Sequence, residues 1–312
     1  MNILVTGGAG FIGSHIVDAY ISLEHNVIIA DNFSTGRKDF INPKAKVVTL
    51  DIRDNGLEQV FREHAIDVVN HHAAQIDLRK SVEDPIFDAS VNILGGLNIY
   101  SLCAKHNVKK IIFASTGGAI YGEQFSFPAD EDHPTNPCSP YGIAKLSNEK
   151  YLSYFSGQFG IATVVLRYTN VYGPRQNPRG EAGVVAIFTD KMLSGQQPVI
   201  YGDGLQTRDY VFVGDVARAN VSALKYPHGG TFNICTAIET NVNDIYEGLR
   251  TELKSPLAAK HDVPKKGEQR RSVCSYQRAK EILKWSPQVS LQDGLRQTAA
   301  FFTEQHNKKA AS

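Results

Sequence analysis

Only four cysteines occur in 312 residues, Cys103, Cys138, Cys235 and Cys274, and they stand too far apart in the chain to form a CxxC pair. Neither a disulfide framework nor a zinc cluster is suggested, and a reducing compartment fits best. Charge of one sign is not in excess: 33 Lys and Arg face 32 Asp and Glu, a net charge of +1. No global field therefore draws the chain to nucleic acid or to an anionic membrane, and any polyanion must be held by a local site. No basic segment precedes the first apolar stretch, and no apolar run approaches the roughly 18 residues of a membrane span. Internal repeats and low-complexity linkers are also missing. The expectation is a cytoplasmic protein with no nucleic-acid or membrane partner.

What is present is ordinary globular composition, 42% hydrophobic and 21% charged. At about 150 residues per domain the length allows two domains or one large α/β unit. β-branched runs at Asn2–Thr6, Asn26–Ala30, Lys46–Leu50, Asp67–Asn70, Lys110–Ala114 and Ala162–Tyr168 read as strands. Between them, Phe11–Glu24, Gly56–His64, Asn92–His106 and Tyr141–Phe159 carry the 3.6-residue apolar period of helices. The alternation predicts an α/β fold, a doubly wound (Rossmann) parallel sheet. From about Val171 the pattern loosens into a smaller C-terminal α/β region. A helix is expected at about Gly183–Ser194, short strands within VIYGDGLQTRDYVFVGDVA, and helices capped by Thr240 and Ser290 that end near Leu253 and His306, before a frayed NKKAAS tail. The expected division is a dinucleotide-binding part over 1–170, rejoined by about 210–235, and a substrate-binding part mainly over 171–312.

The first strand runs into Gly7-Gly8-Ala9-Gly10-Phe11-Ile12-Gly13 and then a helix. Gly7 and Gly10 permit a tight turn and close approach of a pyrophosphate, Gly13 permits close helix–strand packing, and the free amides of the helix start receive the anion. Asp31 ends the second strand 18 residues past Gly13. A carboxylate there accepts from a ribose 2′-hydroxyl and repels a 2′-phosphate, which favours NAD over NADP. Arg37 and Lys38 leave a phosphate-binding alternative open. Asp51-Ile52, after the third strand, is a further candidate beside the adenine.

Tyr141 and Lys145 lie four apart on a helix introduced by Ser139-Pro140, so both side chains leave one face. A phenol is neutral near pH 7 and becomes a base only where a cation stabilises its anion, a charge that Lys145 can supply. The preceding strand ends in Ser115-Thr116-Gly117-Gly118. His71 and His72 tempt a metal reading, but adjacent residues at a strand end point to opposite sides and no further ligands are evident. No metal is expected.

Together GGAGFIG, Asp31, STGGAIYG, YGIAK and LRYTNVYGPR resemble the extended short-chain dehydrogenase/reductase family, and within it the nucleotide-sugar epimerases of the UDP-glucose 4-epimerase type. YGDGLQTRDYVFVGDVA and GEQRRSVCSYQRAKEILKW extend the resemblance over nearly the whole chain. It implies that Tyr141 is the base, that Lys145 tunes it and holds the nicotinamide ribose, and that Thr116, or alternatively Ser115, hydrogen-bonds the sugar 4-oxygen. Phe11, Ile12, Asn32, Ala73, Ala74, Asn92 and Tyr168 are implied to line the cofactor site. Asn170, Arg208, Arg271 and Ser272 are implied to meet the nucleotide sugar. A UDP-sugar substrate and a homodimer built on Asn92–His106 and Tyr141–Phe159 also follow from the resemblance.

In this family, dehydratases place an acidic pair directly after the Ser/Thr of this segment and UDP-glucuronate decarboxylases place a Glu nearby, whereas this chain has Gly117-Gly118. Without a carboxylate there, hydride return to the opposite face of a transient 4-keto sugar is the simplest outcome, which inverts carbon 4. NAD is regenerated each turnover and is expected to be tightly retained. Ser272 stands where some hexose-restricted relatives carry a tyrosine, so room for a 2-acetamido group is expected. Dehydration, decarboxylation and uronate epimerisation stay open as alternatives.

Overall fold

The computed structural model describes residues 1–179, 183–264 and 269–310. Seven strands form one parallel sheet: β1 (Asn2–Thr6), β2 (Asn26–Asp31), β3 (Lys46–Thr49), β4 (Val68–His71), β5 (Lys110–Thr116), β6 (Ala162–Tyr168) and β11 (Gly230–Ile234). Their order is β11-β6-β5-β4-β1-β2-β3. Chain direction across the sheet reverses between β1 and β4, the switch point at whose carboxyl edge open α/β sheets bind ligands. Helices cover both faces, so the central strands are near-continuous apolar runs. Ile3, Val5, Ile112 and Val164 face one core and Leu4, Val69, Ile111 and Val165 the other. β3 lies at the outer edge and is largely exposed.

Most expected elements occur within a residue or two of their bounds, and three differ for local reasons. The helix expected from Asn92 begins at Pro85, because Asp84 accepts from the Phe87 amide at 2.9 Å and Pro85 occupies the first turn, where its missing N–H costs nothing. It runs from Pro85 to Lys105 with a wide π turn at Ser90–Leu94. By length and composition this helix is apolar enough to cross a membrane, which corrects the expectation that no such run exists. Here 44% of its apolar window is buried, with Asp88 and Asn92 hydrogen-bonded among the buried residues. Further on, the cap of Val242–Glu252 is Asn241, which accepts from the Asp244 amide, rather than Thr240. The last helix, capped by Ser290, continues over Leu291–Ala310, so 307–310 are helical and 311–312 lie outside the described residues.

The second half adds three two-stranded ladders. β7 (Asn170–Tyr172) pairs with β10 (Tyr210–Phe212), β9 (Thr207–Arg208) with β12 (Thr240–Asn241), and β8 (Val199–Tyr201) with β13 (Lys260–Asp262). A third apolar cluster, around Tyr172, Phe188, Phe212, Ile245 and Leu295, holds them against the helices Val184–Leu193, Val242–Glu252 and Leu291–Ala310. The chain also returns to the first half: the helix Val213–Lys225 packs on Phe11–Ser22, and β11 completes the sheet.

Candidate active site

The glycine turn is held by contacts that admit no side chain. Gly7 has φ +69°, and a Cβ there would stand 2.7 Å from the Ala73 nitrogen; one on Gly13 would stand 2.2 Å from the Gly7 carbonyl oxygen. Gly10 precedes the helix, whose first residues Phe11 and Ile12 are half-buried. The result is a backbone cradle of helix-start amides at the carboxyl edge of β1, shaped for a dinucleotide pyrophosphate.

Asp31 is buried beside it, with Oδ2 accepting from the Ala9 amide at 3.0 Å and Oδ1 from the Phe33 amide at 2.8 Å. Each oxygen keeps a lone pair for a further donor. Arg37, the candidate phosphate ligand, is bound instead to Asp39 at 2.7 Å and lies over the Phe40 ring. Asn32 donates to Asp51 Oδ2 at 3.0 Å. Asp51 is also gripped by Arg53, whose hydrogen bonds hold its carboxyl down at about 2. Ile52 is buried under Gly95, where a Cβ would meet its Cδ1 at 2.6 Å. Ala73 and Ala74 are half-buried after β4, the Ala73 amide reaching Thr6 Oγ1 at 3.3 Å. The Asn92 amide spans the Gln75 backbone, at 2.9 Å to both N and O, and also donates to Asp88. It clamps the loop that borders the cradle.

At β5 and β6 the register pairs Ser115 with Arg167 and Thr116 with Tyr168. Ser115 and Thr116 point to opposite faces, as strand neighbours must. Ser115 Oγ donates to Glu149 Oε1 at 2.5 Å, whereas Thr116 is half-buried at the strand end. Tyr168 is buried, stacked on His72, with its hydroxyl 3.0 Å from His72 Nε2 and accepting from Asn220 at 2.8 Å. Burial first, then Lys145, lowers His72 to about 3; His71, hydrogen-bonded to Thr6, is also kept neutral by burial. Among the described residues no group of three His, Cys, Asp or Glu is placed to hold a metal ion.

Tyr141 and Lys145 occupy the first two turns of Pro140–Phe159, fixed by Ser139, whose side chain accepts from the Gly142 amide, and by the Tyr141 amide donating to buried Ser81 at 2.8 Å. Lys145 is buried; its Nζ donates to the Ala114 carbonyl at 2.8 Å and stands 5.7 Å from the Tyr141 ring centre. Burial lowers its pKa to about 8, opposed by the Asp88 and Glu149 carboxylates. Burial, with Asp88 second, pushes the Tyr141 phenol upward. Without further positive charge the phenol is therefore in its acid form.

Asn170, Arg208, Arg271 and Ser272, expected to meet the nucleotide sugar, all lie in the second half of the chain. Asn170 opens β7, and its Oδ1 is 3.8 Å from where a Cβ on Gly118 would stand, beside Thr116 Oγ1 at 3.9 Å. Gly118 is exposed and a Cβ there would make only ordinary contact, while a Cβ on Gly117 would press at 3.3 Å on Thr169. Arg208 is half-buried on β9. It donates to the Thr207 carbonyl at 2.8 Å; close in sequence, Asp209 accepts from Thr236 and Ala237, and Asp203 takes both arms of Arg270. Arg271 pairs with Glu239 at 2.6 Å and covers the Phe127 ring at 4.0 Å, so its guanidinium is already matched. Ser272 is buried. Glu239 accepts from Thr207 as well, and the Thr207 amide reaches the Arg270 carbonyl, which sets the Arg271-Ser272 segment beside Arg208. Gly267 and Glu268 of the GEQRRS segment lie outside the described residues.

Several side chains here went unnoticed in the sequence. Asp88, 1% exposed, has one oxygen taken by Gln75 and Asn92 and the other buried without a hydrogen bond among the described residues. Glu149 and Arg167 form a buried ion pair, and Asn220 bridges Tyr168 to Asn70. A charged residue on a helix reads as solvent-facing until the fold places it. The spacing of Tyr141, Lys145 and Glu149, four apart each time, was the available signal.

A family model described as NAD dependent epimerase/dehydratase family matches residues 3–235. A putative UDP-glucose 4-epimerase of Methanocaldococcus jannaschii is 49% identical over 94% of this chain and 96% of its own. The crystal structure of UDP-glucose 4-epimerase from Thermotoga maritima with UDP-glucose superposes with a TM-score of 0.96 at 47% identity, covering 98% of this chain and 99% of that one. The Thermus thermophilus UDP-glucose 4-epimerase complex with NAD gives 0.92 at 41% identity, over 97% and 99%.

Proposed function

This chain belongs to the NAD dependent epimerase/dehydratase family, and on that premise we propose that it inverts carbon 4 of a UDP-hexose, interconverting UDP-glucose and UDP-galactose. The observation that carries the reading is the buried Lys145 ammonium set against the Tyr141 ring at the carboxyl end of β5, where Thr116 stands. The glycine cradle, Asp31 and the neutral His72–Tyr168 stack fit NAD, to be held by Gly7, Gly10, Phe11, Ile12, Gly13, Asp31, Asn32, Asp51, Ile52, Ala73, Ala74, Lys145 and Tyr168. When bound, NAD supplies the hydride acceptor and a positive charge beside the phenol.

Tyr141 takes the proton from the sugar 4-hydroxyl and later returns it. Lys145 holds the phenolate by charge, and Thr116 orients the 4-oxygen by hydrogen bond. Asn170 and Arg208 bind the diphosphate, Arg208 by charge-assisted hydrogen bonds. Arg271 serves the uridine side by holding Glu239 and Phe127 in place, and buried Ser272 leaves room for a 2-acetamido group. Gly117 and Gly118 supply no carboxylate to draw a proton from carbon 5, which disfavours dehydration, and Gly118 presents no side chain to obstruct the keto sugar as it turns over before reduction.

Residues 1–170 with 210–235 form the cofactor half and 171–312 mainly the sugar half. The helices Pro85–Lys105 and Pro140–Phe159 pack together and leave Leu94, Ile143, Tyr154 and Phe159 at least half exposed, a surface suited to a homodimer working in the cytoplasm. Incubation with UDP-galactose, UDP-GalNAc and UDP-glucuronate, read by sugar-resolved chromatography and mass, tests the whole reading. An epimer of unchanged mass and NAD extracted from the purified protein are expected. Loss of water or carbon dioxide from the substrate overturns it.

A further inference from the structure

Glu149 lies one turn beyond Lys145 and two beyond Tyr141 on one helix, and its carboxylate is buried, with 7% of the side chain exposed. It accepts from Ser115 Oγ at 2.5 Å, from Arg167 Nε at 3.0 Å and from an Arg167 terminal nitrogen at 2.7 Å. Ser115 immediately precedes Thr116, and Arg167 immediately precedes Tyr168; the two pairs are in register across β5 and β6. One carboxylate thus ties the helix bearing Tyr141 and Lys145 to both strands at the residues adjoining Thr116 and Tyr168. Arg167 is itself anchored by donating to the Tyr121 hydroxyl at 2.9 Å and the Glu131 carbonyl at 3.2 Å, so the clamp has a fixed base.

We propose that Glu149 is a positioning residue of the reaction centre, fixing Tyr141 and Lys145 against Thr116 and Tyr168. It rests on the reading of Tyr141 and Lys145 given above. A buried ion pair is weak evidence for stability alone, since apolar replacements of similar volume are often neutral. What needs both the charge and the reach is the site. Lys145 is faced by Asp88 from Pro85–Lys105, by His71 at the end of β4 and His72 just after it, and by Tyr141 and Glu149 on its own helix. The histidines are neutral, so Asp88 and Glu149 are the negative charges that favour the ammonium.

Glu149→Gln keeps the shape and removes the charge. In the full-length protein with its NAD, kcat should fall about 10- to 100-fold with KM for UDP-galactose little changed, the cost of a slightly misplaced reacting group. The alkaline limb of the kcat profile should move to lower pH, because Lys145 loses a carboxylate that holds its proton. Glu149→Asp should return the limb towards the parent position while kcat stays low, since the shorter side chain restores charge but not reach. If Glu149→Gln does not fold, Glu149→Gln/Arg167→Met leaves no unpaired buried charge and should fold, retain NAD and lose kcat similarly. Parent kcat in whichever of these folds overturns the proposal, as does lost thermal stability with kcat and the pH limb unmoved. Tyr141→Phe is assayed alongside: if it is inactive while Glu149→Gln is fully active, only this proposal fails, whereas an active Tyr141→Phe overturns the reading beneath it.

Discussion

Lys145 Nζ stands 5.7 Å from the centre of the Tyr141 ring while donating to the Ala114 carbonyl at 2.8 Å, so a strand edge holds the ammonium beside the phenol. The strand thereby fixes a charge that a free lysine side chain would carry into solvent.

That placement sets a pH limit. Burial lowers Lys145 to about 8, and the ammonium is the form that stabilises the phenolate. Activity should therefore decline as pH rises through about 8, by about tenfold per unit once the amine dominates. A kcat profile level from pH 7 to 10 would remove Lys145 from its role.

Tyr141→Phe should lower kcat by about 10²- to 10⁴-fold, the range for loss of a general base. NAD content, measured by extraction from the purified variant, should match the parent. Retained turnover would assign the proton transfer to another group.

Gly13→Ala places a methyl group 2.2 Å from the Gly7 carbonyl oxygen, inside contact distance. The helix start must move, at a cost of about 1–3 kcal/mol. Reduced Tm together with cofactor-free protein is expected; a fully NAD-loaded variant would show that the cradle tolerates the shift.

Acid should destabilise the fold through His72. Its pKa is about 3 when folded, whereas an unfolded histidine titrates near 6.5, so between these values only the unfolded chain binds the proton. Stability should fall with falling pH at about 1.4 kcal/mol per unit for that proton. His72→Gln should lower the slope of the urea-midpoint profile between pH 6 and pH 4, leaving the part due to His71, and an unchanged slope would refute the assignment.

Leu94 is 60% exposed on Pro85–Lys105. Leu94→Glu adds charge to the face assigned to the homodimer and should shift sedimentation to the monomer, with the fold retained by circular dichroism. An unshifted dimer would place the interface elsewhere.

The sheet was legible because a parallel strand buried on both faces is an uninterrupted apolar run, as Ile3–Val5 and Ile111–Phe113 are. The glycine turn and the Tyr141/Lys145 spacing were legible because each depends on neighbours in sequence. The start of the helix at Pro85 is signalled by the cap Asp84-Pro85 rather than by apolar period, since Ile86 in its first turn is exposed while Asp88 is buried. Asp88, Glu149 and Arg167 were missed for a deeper reason. Their burial is created by strands and helices far along the chain, 34 positions away in the Ser115–Glu149 bond and 46 in the Arg167–Tyr121 bond, and local pattern carries no trace of it.

The seventh strand has a cost for a chain being made one residue at a time. β6 is complete at Tyr168, but its outer neighbour begins only at Gly230. At about 5–20 residues per second the ribosome leaves that ladder of amide and carbonyl groups bare for several seconds. A stalled or clipped product ending in this interval should be the aggregation-prone species, and chaperone demand should ease once Gly230–Ile234 has emerged.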